Sequence, residues 1–477
     1  MSDERQNHNW SAAHGIKKMT ITEEDDDLPS FSAPIIDYAE AERFVEELRM
    51  FDIEEVGNSD WMEQHRRIEK LNVQAHQSAS ANNEEYVLEA VLTFDKMDVL
   101  IHDLLIIEAW KENIYPLILD RVAGKNNMRI YFILYHEATL VNLLEVLFYH
   151  KHVCSQSGEK FLELVDYCAR KLTRLQSGYD FRSRTPQGSS GSSGVNNNND
   201  DDDISTSERA KKVAEAMASR TPQEELTEYL TDIEYKICIS STTISRFICE
   251  NADVLPLSVI SRITDIHDYL ILIIPLIENP PWTRKNSKTN KWEKLIDYKW
   301  EPVEPINLLK ITKLEGQPWL ALYSLIAKDI FRERYHINSF RKTQLLRVRK
   351  YLNDVLLDQL PFLADIMRYM DELTLSDVSN VQDNRQNVFN FQQISIKREK
   401  ILKNKNWNDL SDFIVKNVFI MTDRTDKDIK KMAELYADDD IADVLDPNGA
   451  GPAGATDLNN IDWANADLDN LGIRGGN

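Results

Sequence analysis

Residues 130–153 read IYFILYHEATLVNLLEVLFYHKHV. Apolar side chains in this run fall on more than one face of a helical projection, the pattern of a helix buried by neighbours on several sides. A helix of that kind needs other helices around it, so the expected fold is all-α. Upstream, Ala41, Phe44, Val45 and Leu48 follow i, i+3, i+4, i+7 and predict a first amphipathic helix, with order beginning near Pro34. Gly57–Asn58 marks a turn, after which Ser59 or Asp60 is expected to cap a helix carrying Trp61, Ile68, Leu71 and Ala75. Residues 84–119 continue in helical mode through Val87, Val91, Val99, Leu104, Leu105 and Trp110, up to a break around 124–127. The helix Phe161–Leu172 closes this half.

Composition then divides the chain. Residues 1–34 are polar and acidic without apolar periodicity, and are expected to form a disordered arm. A helical lobe is expected over 35–175. Residues 176–220 change character, with Gly188–Gly194 almost pure Ser and Gly and Asn196–Asp203 an Asn/Asp tract, so they read as a flexible linker. A second helical lobe is expected over 221–440, opened by Pro222, which suits a first helical turn because it lacks the N–H that would go unbonded there. Within it, Pro280–Trp300 is less regular, a short hairpin or an ordered excursion. Helices are expected at 305–310, 317–327, 339–360 and 366–373, then a loop at 380–393 and one or two helices over 396–436. Residues 441–477 read as a disordered acidic tail. The two lobes suit an irregular armadillo- or HEAT-like stack.

The 477 residues carry a formal net charge of −23 and are 42% hydrophobic. A phosphate backbone demands a concentrated basic surface, so nucleic acid is not an expected partner, and the same reasoning disfavours anionic lipid. The longest apolar run, near Tyr269–Ile277, is too short for the ~20 apolar residues of a membrane span. Four cysteines (154, 168, 238 and 249) and a polar start predict a reducing, cytoplasmic setting rather than a disulfide framework.

Motifs for chemistry are weak. His136-Glu137 opens a zinc-protease helix motif, but the second histidine is required at position 140, which is Leu140. His150, His152 and Cys154, with Cys168 further on, contain zinc-ligand types. Residues two apart on a helix diverge, so a polar helix end with two buried thiols is the better reading. A metal hydrolase using His136, Glu137, His150 or His152 is the enzyme alternative. No glycine-rich phosphate loop is present. The expectation is a non-catalytic protein without cofactor. Two segments are candidate partner-binding sites. One is Arg341, Lys342, Arg347, Arg349 and Lys350, interleaved with leucines and valines; it reads first as a solvated helix face and second as a dock for an acidic partner. The other is the tail, where Trp463, Leu468, Leu471 and Ile473 stand among acids in the manner of a short groove-binding motif.

Several strings are more specific. Gly57–Trp61 leads into Gln64-His65 and Ile68–Asn72; His136–Ala138, Asn142–Glu145 and Phe148–Lys151 follow, then Leu164–Cys168 and Arg170–Thr173. The second half adds Lys313–Gln317 running into Trp319, Ala321–Tyr323 and Leu356–Pro361. In order and spacing, over roughly 35–175 and 221–440, they resemble the zinc finger MYND domain-containing protein 10 family of axonemal dynein assembly factors. That resemblance implies a scaffold or co-chaperone adaptor acting before dynein arms enter motile cilia. It implies as partners the dynein heavy and intermediate chains, a leucine-rich-repeat CS-domain assembly factor, an FK506-binding co-chaperone and the Hsp90 system. It implies residence in the cytoplasm, at centriolar satellites and dynein-assembly foci, apical in ciliated cells. Family members usually end in a zinc-binding MYND finger. Here the last cysteine is Cys249 and the last histidine His336, so the finger is missing from this sequence, an acidic tail stands at 437–477, and the family's zinc is not carried over. The alternative reading is a nuclear or signalling adaptor bridging transcriptional or chaperone complexes.

Overall fold

The computed structural model describes residues 34–419 except 82, 124–127, 178–220, 287–288, 297, 336 and 376–396, together with Lys431. The expected arm before Pro34, the linker beyond Ser177, the loop at 380–393 and the tail at 441–477 lie outside the described residues. Within them the chain is mainly helical, as the buried pattern of 130–153 requires.

The first half contains eight α-helices: α1 Tyr38–Glu46, α2 Ser59–Ser80, α3 Tyr86–Thr93, α4 Met97–Asn113, α5 Tyr115–Val122, α6 Met128–Phe148, α7 Lys151–Ser157 and α8 Phe161–Gln176. α1 begins at Asp37, whose carboxylate accepts the Glu40 N–H at 2.7 Å, and it buries Ala41, Phe44 and Val45 on the expected stripe. Gly57 turns the chain at φ +84°, a conformation glycine adopts without strain. The cap of α2 is neither Ser59 nor Asp60 but Asn58. Its extended backbone aims Oδ1 at the Trp61 N–H at 2.8 Å, which leaves Ser59 and Asp60 inside the first turn. Residues 86–122 make three helices rather than one run, with Asp95 at φ 52° in the first break. α6 has the length and apolar content of a membrane span, but the relevant window is 83% buried against α2, α4 and the second half.

The second half opens with α9, Pro222–Glu250, started by a capping box in which Thr221 and Glu224 exchange hydrogen bonds and Pro222 occupies the first turn. α10 (Leu257–Ser261), a π-helical turn at Arg262–Ile266 and α11 (Tyr269–Glu278) follow. The Pro280–Trp300 region resolves as a three-stranded antiparallel sheet of β1 Thr283–Lys285, β2 Trp292–Ile296 and β3 Lys299–Pro302, in order β1-β2-β3, with Arg284 opposite Glu293 and Leu295 opposite Trp300. Then come α12 Lys313–Ala327, α13 Asp329–Arg332, α14 Ser339–Val348, α15 Asp354–Gln359, α16 Leu363–Leu375, α17 Lys397–Leu402 and α18 Trp407–Asn417. Two expectations need correction. Only a 3-10 turn, Pro305–Asn307, stands where a helix was expected at 305–310. The helix expected over 339–360 stops at Val348, passes through a 3-10 turn, and restarts because extended Asn353 caps the Leu356 N–H at 3.0 Å.

Helices stand on both sides of 178–220. α9 packs on α6 and α8 and also on α12, so one continuous apolar cluster runs from Ile36 to Phe419. α17 and α18 return to the first half, against α4 and α5.

Candidate protein-interaction groove

The polar motifs of the first half belong to the core. His136 and Glu137 have no exposed surface. The Nδ1 atoms of His65 and His136 face each other at 2.8 Å, and His136 Nε2 lies 3.0 Å from Asp103 Oδ2. Burial and the neighbouring His136 push the pKa of His65 well below its ordinary value, so its imidazole stays neutral. Glu137 joins a buried quartet. The Lys111 ammonium donates to Glu137 at 2.7 Å and also to Glu234; Lys171 lies 2.7 Å from Glu137 and 3.3 Å from Glu234; Tyr167 donates its hydroxyl to Glu137 at 2.6 Å. α4, α6, α8 and α9 each contribute to it. Burial opposes ionisation of both carboxylates, but the two ammoniums overcome it and hold Glu137 and Glu234 below the ordinary carboxylate range. Two ammoniums and two carboxylates are thus buried together where α9 meets the first half, and the half-buried Arg174 guanidinium adds a third cation 3.3 Å from Glu234.

His150 precedes α7 and pairs with Glu85, and its ring centroid is 5.6 Å from that of His152. The thiols of Cys154, Cys168, Cys238 and Cys249 are free and buried, and burial pushes the first three up to about 12. Among the described residues no group of three or more His, Cys, Asp and Glu side chains is placed to hold a metal ion.

An apolar recess with a cavity volume of about 140 Å³ opens on the described surface. Its floor is aromatic and aliphatic: Trp282, Trp319, Leu276 and Ile277, all buried. One wall is Leu308, Leu309 and Ile311; the other is Tyr351, Asn353 and Leu356. Hydrogen bonds fix both. Lys294 donates to Glu315 at 2.8 Å and to the Lys310 carbonyl at 2.7 Å, while Glu315 also accepts the Thr312 N–H at 2.7 Å. Gln359 bridges the walls, donating to the Leu309 carbonyl at 3.1 Å and accepting the Ile311 N–H at 2.9 Å. Tyr351 donates its hydroxyl to the Glu278 carbonyl at 3.3 Å. Apolar surface continues onto the rim, where Leu309 is 55% and Ile306 81% exposed. An aromatic-floored recess with an apolar rim is suited to receive an apolar side chain or ligand group.

The basic segment flanks this recess. Arg341 Nε donates to Asp268 at 2.8 Å and its guanidinium sits 5.4 Å from the Tyr335 ring; Arg347 pairs with Glu278 at 2.6 Å; Arg349 pairs with Asp371 at 2.5 Å. Lys342 is half-buried on α14, and Lys350 lies over the Tyr351 ring at 4.8 Å. Arg341, Arg347 and Arg349 therefore have intramolecular carboxylates, and Lys350 is attached to the groove wall itself. Trp463, Leu468, Leu471 and Ile473 lie outside the described residues. Residue patterning missed the groove because four separate chain segments build it; the tryptophans around Pro280-Pro281 were the available signal.

Fold and site together define a mainly α-helical protein with a buried ion-pair network and an aromatic-floored apolar groove. The chain belongs to the zinc finger MYND domain-containing protein 10 family. It is 32% identical over 338 residues to the zinc finger MYND domain-containing protein 10 homolog of Drosophila melanogaster, covering 70% of this chain and 67% of that relative. No protein-family model matches the chain. No solved structure matches it.

Proposed function

We propose that the chain is a non-catalytic, cytoplasmic scaffold or co-chaperone adaptor for preassembly of axonemal dynein arms. The observation that carries this reading is the family membership, at 32% identity over 338 residues. The groove supports it physically, because an apolar recess beside a basic segment receives side chains of a protein more readily than a polar metabolite. Dynein heavy and intermediate chains, the leucine-rich-repeat CS-domain factor, the FK506-binding co-chaperone and the Hsp90 system are the proposed partners.

The test is affinity capture with mass spectrometry from ciliating cells, using the full chain, a Leu309→Asp variant and a chain ending after Tyr436. Recovery of dynein chains and Hsp90 cofactors by the full chain is expected, with a clear loss for Leu309→Asp. Recovery of neither class by the full chain would overturn the assembly reading.

A further inference from the structure

We infer that the groove is a docking site for the chain's own segment Ile461–Ile473, so the protein carries a competitor for its partner surface. This rests on the protein-binding reading of the groove and names an occupant for it.

The recess sets the first requirement. A cavity of about 140 Å³ matches the ~150 Å³ that accepts a benzene-sized group, so it admits one anchoring side chain rather than a whole helix. The ligand must then continue along an apolar rim, since Leu309 and Val355 are 55% and 41% exposed. Trp282, in the floor, has a buried Nε1 with no hydrogen-bond partner among the described residues, so the floor has an unused donor.

Ile461–Ile473 has the matching features. Trp463 is the only aromatic residue after Tyr436, which makes it a single anchor. Beyond that anchor, Leu468, Leu471 and Ile473 supply further apolar side chains for the rim. Charge agrees. Residues 437–473 contain nine acids (Asp438, Asp439, Asp440, Asp443, Asp446, Asp457, Asp462, Asp467 and Asp469) and no cation, whereas 338–353, flanking the groove, contain five cations and no acid, three of those cations being paired with Asp268, Glu278 and Asp371. Lys310 on one wall and Lys350 on the other have no carboxylate partner among the described residues. Asp354 and Asp358 on α15 offset part of this potential, so charge biases the encounter and the apolar anchor holds it.

The tether is long enough. Forty-one residues stand between Phe419 and Ile461, enough to span roughly 140 Å when extended. The folded body, with a radius of gyration of ~20 Å, is within that reach on every face. Tethering supplies an effective concentration in the millimolar range, so an intrinsically weak segment would still occupy the site for most of the time.

The experiment uses the full chain with p-benzoylphenylalanine replacing Trp463, irradiated at low concentration and mapped by mass spectrometry. Cross-links to residues 306–311 and 351–356 at monomer mass are expected. Leu309→Asp should lower their yield by at least about fivefold, the factor that corresponds to losing ~1 kcal/mol of interface contact. Leu257→Asp, at a comparably exposed leucine away from the groove, should leave the yield unchanged. Absence of groove cross-links overturns the inference, and so does their appearance only in a species of twice the mass, which assigns a second copy as occupant. If the cross-links fail while Leu309→Asp still loses dynein chains in the capture assay, the protein-binding reading stands without its internal competitor. If the cross-links form but Leu309→Asp keeps every partner, the groove is a structural seat for the tail and the partner reading fails.

Discussion

Replacing Glu234 by Gln should destabilise the protein far more than its single-atom change suggests. In the native state Lys111, Lys171, Glu137 and Glu234 are 5%, 4%, 0% and 3% exposed and carry no net charge as a set. Glu234→Gln keeps the shape and removes one negative charge, leaving two ammoniums and the half-buried Arg174 guanidinium with Glu137 as the remaining buried carboxylate of the set. Breaking a buried pair from one side costs about 3–5 kcal/mol, because the surviving charge stays desolvated. With an unfolding entropy of ~2.1 cal/mol/K per residue and about 300 ordered residues, that corresponds to a fall in Tm of roughly 5–8 °C. Differential scanning calorimetry at neutral pH is the assay. Asp365→Asn, which breaks an exposed pair with Arg368 (57% and 72% exposed), is the control and should cost less than about 1 kcal/mol. A Lys171→Met, Glu234→Leu double variant removes one charge of each sign and should recover most of the loss. The pH sign is fixed as well. The folded pKa of Glu234 lies below its unfolded value, so its contribution is present above about pH 4.5 and disappears as pH falls further. A Glu234→Gln protein melting within about 1.5 °C of the parent would refute the charge-balance argument.

The remaining expectations address other sites. Burial raises the pKa of Glu145 to about 7 against hydrogen bonds from Ser240 and Thr243, so this group favours the fold below pH 4.5 and loses that stability as pH rises to 7; Glu145→Gln should gain up to ~3 kcal/mol above pH 7 and nothing at pH 4, read from urea midpoints. Gly57→Ala places a Cβ 2.6 Å from Ile133 Cδ1 and 2.7 Å from Val418 Cγ1 at φ +84°, and a loss of at least ~2 kcal/mol is expected by the same assay. The four thiols should ignore a disulfide reagent in the native state and react together only on unfolding; one thiol reacting at native rates would contradict their burial.

Much of the fold was legible because helical periodicity is a local property. Ala41, Phe44 and Val45 are buried where their spacing put them, and Pro222 opens a helix as its chemistry requires. The break at 349–353 was hidden, since it depends on the Asn353 side chain turning back onto the Leu356 amide while apolar residues continue on both sides. The sheet was half visible as a cluster of Trp and Lys, but its strands of three to five residues are set by cross-strand register, which single-residue propensity does not contain. The buried quartet was invisible for a different reason. Lys111 meets Glu137 across 26 positions and Glu234 across 123, and nothing in a lone lysine or glutamate distinguishes a core partner from a solvated one.

That separation explains what the quartet does for the groove. Apolar burial is non-directional, so two helical halves joined through residues 178–220 have many ways to bury their leucines against one another. Lys111 and Lys171 accept far fewer, because each ammonium must reach both carboxylates. α9 is therefore held in one register against α6 and α8 by Glu234, and its opposite contacts fall on α12. The N-terminal turns of α12 carry Glu315 and Trp319, the groove's anchor to β2 and part of its floor. Register at the polar seam is thus passed through one helix to the recess, and the recess keeps its shape only while that register holds. A variant that weakens the seam without unfolding the chain should lose groove cross-linking before it loses helical content.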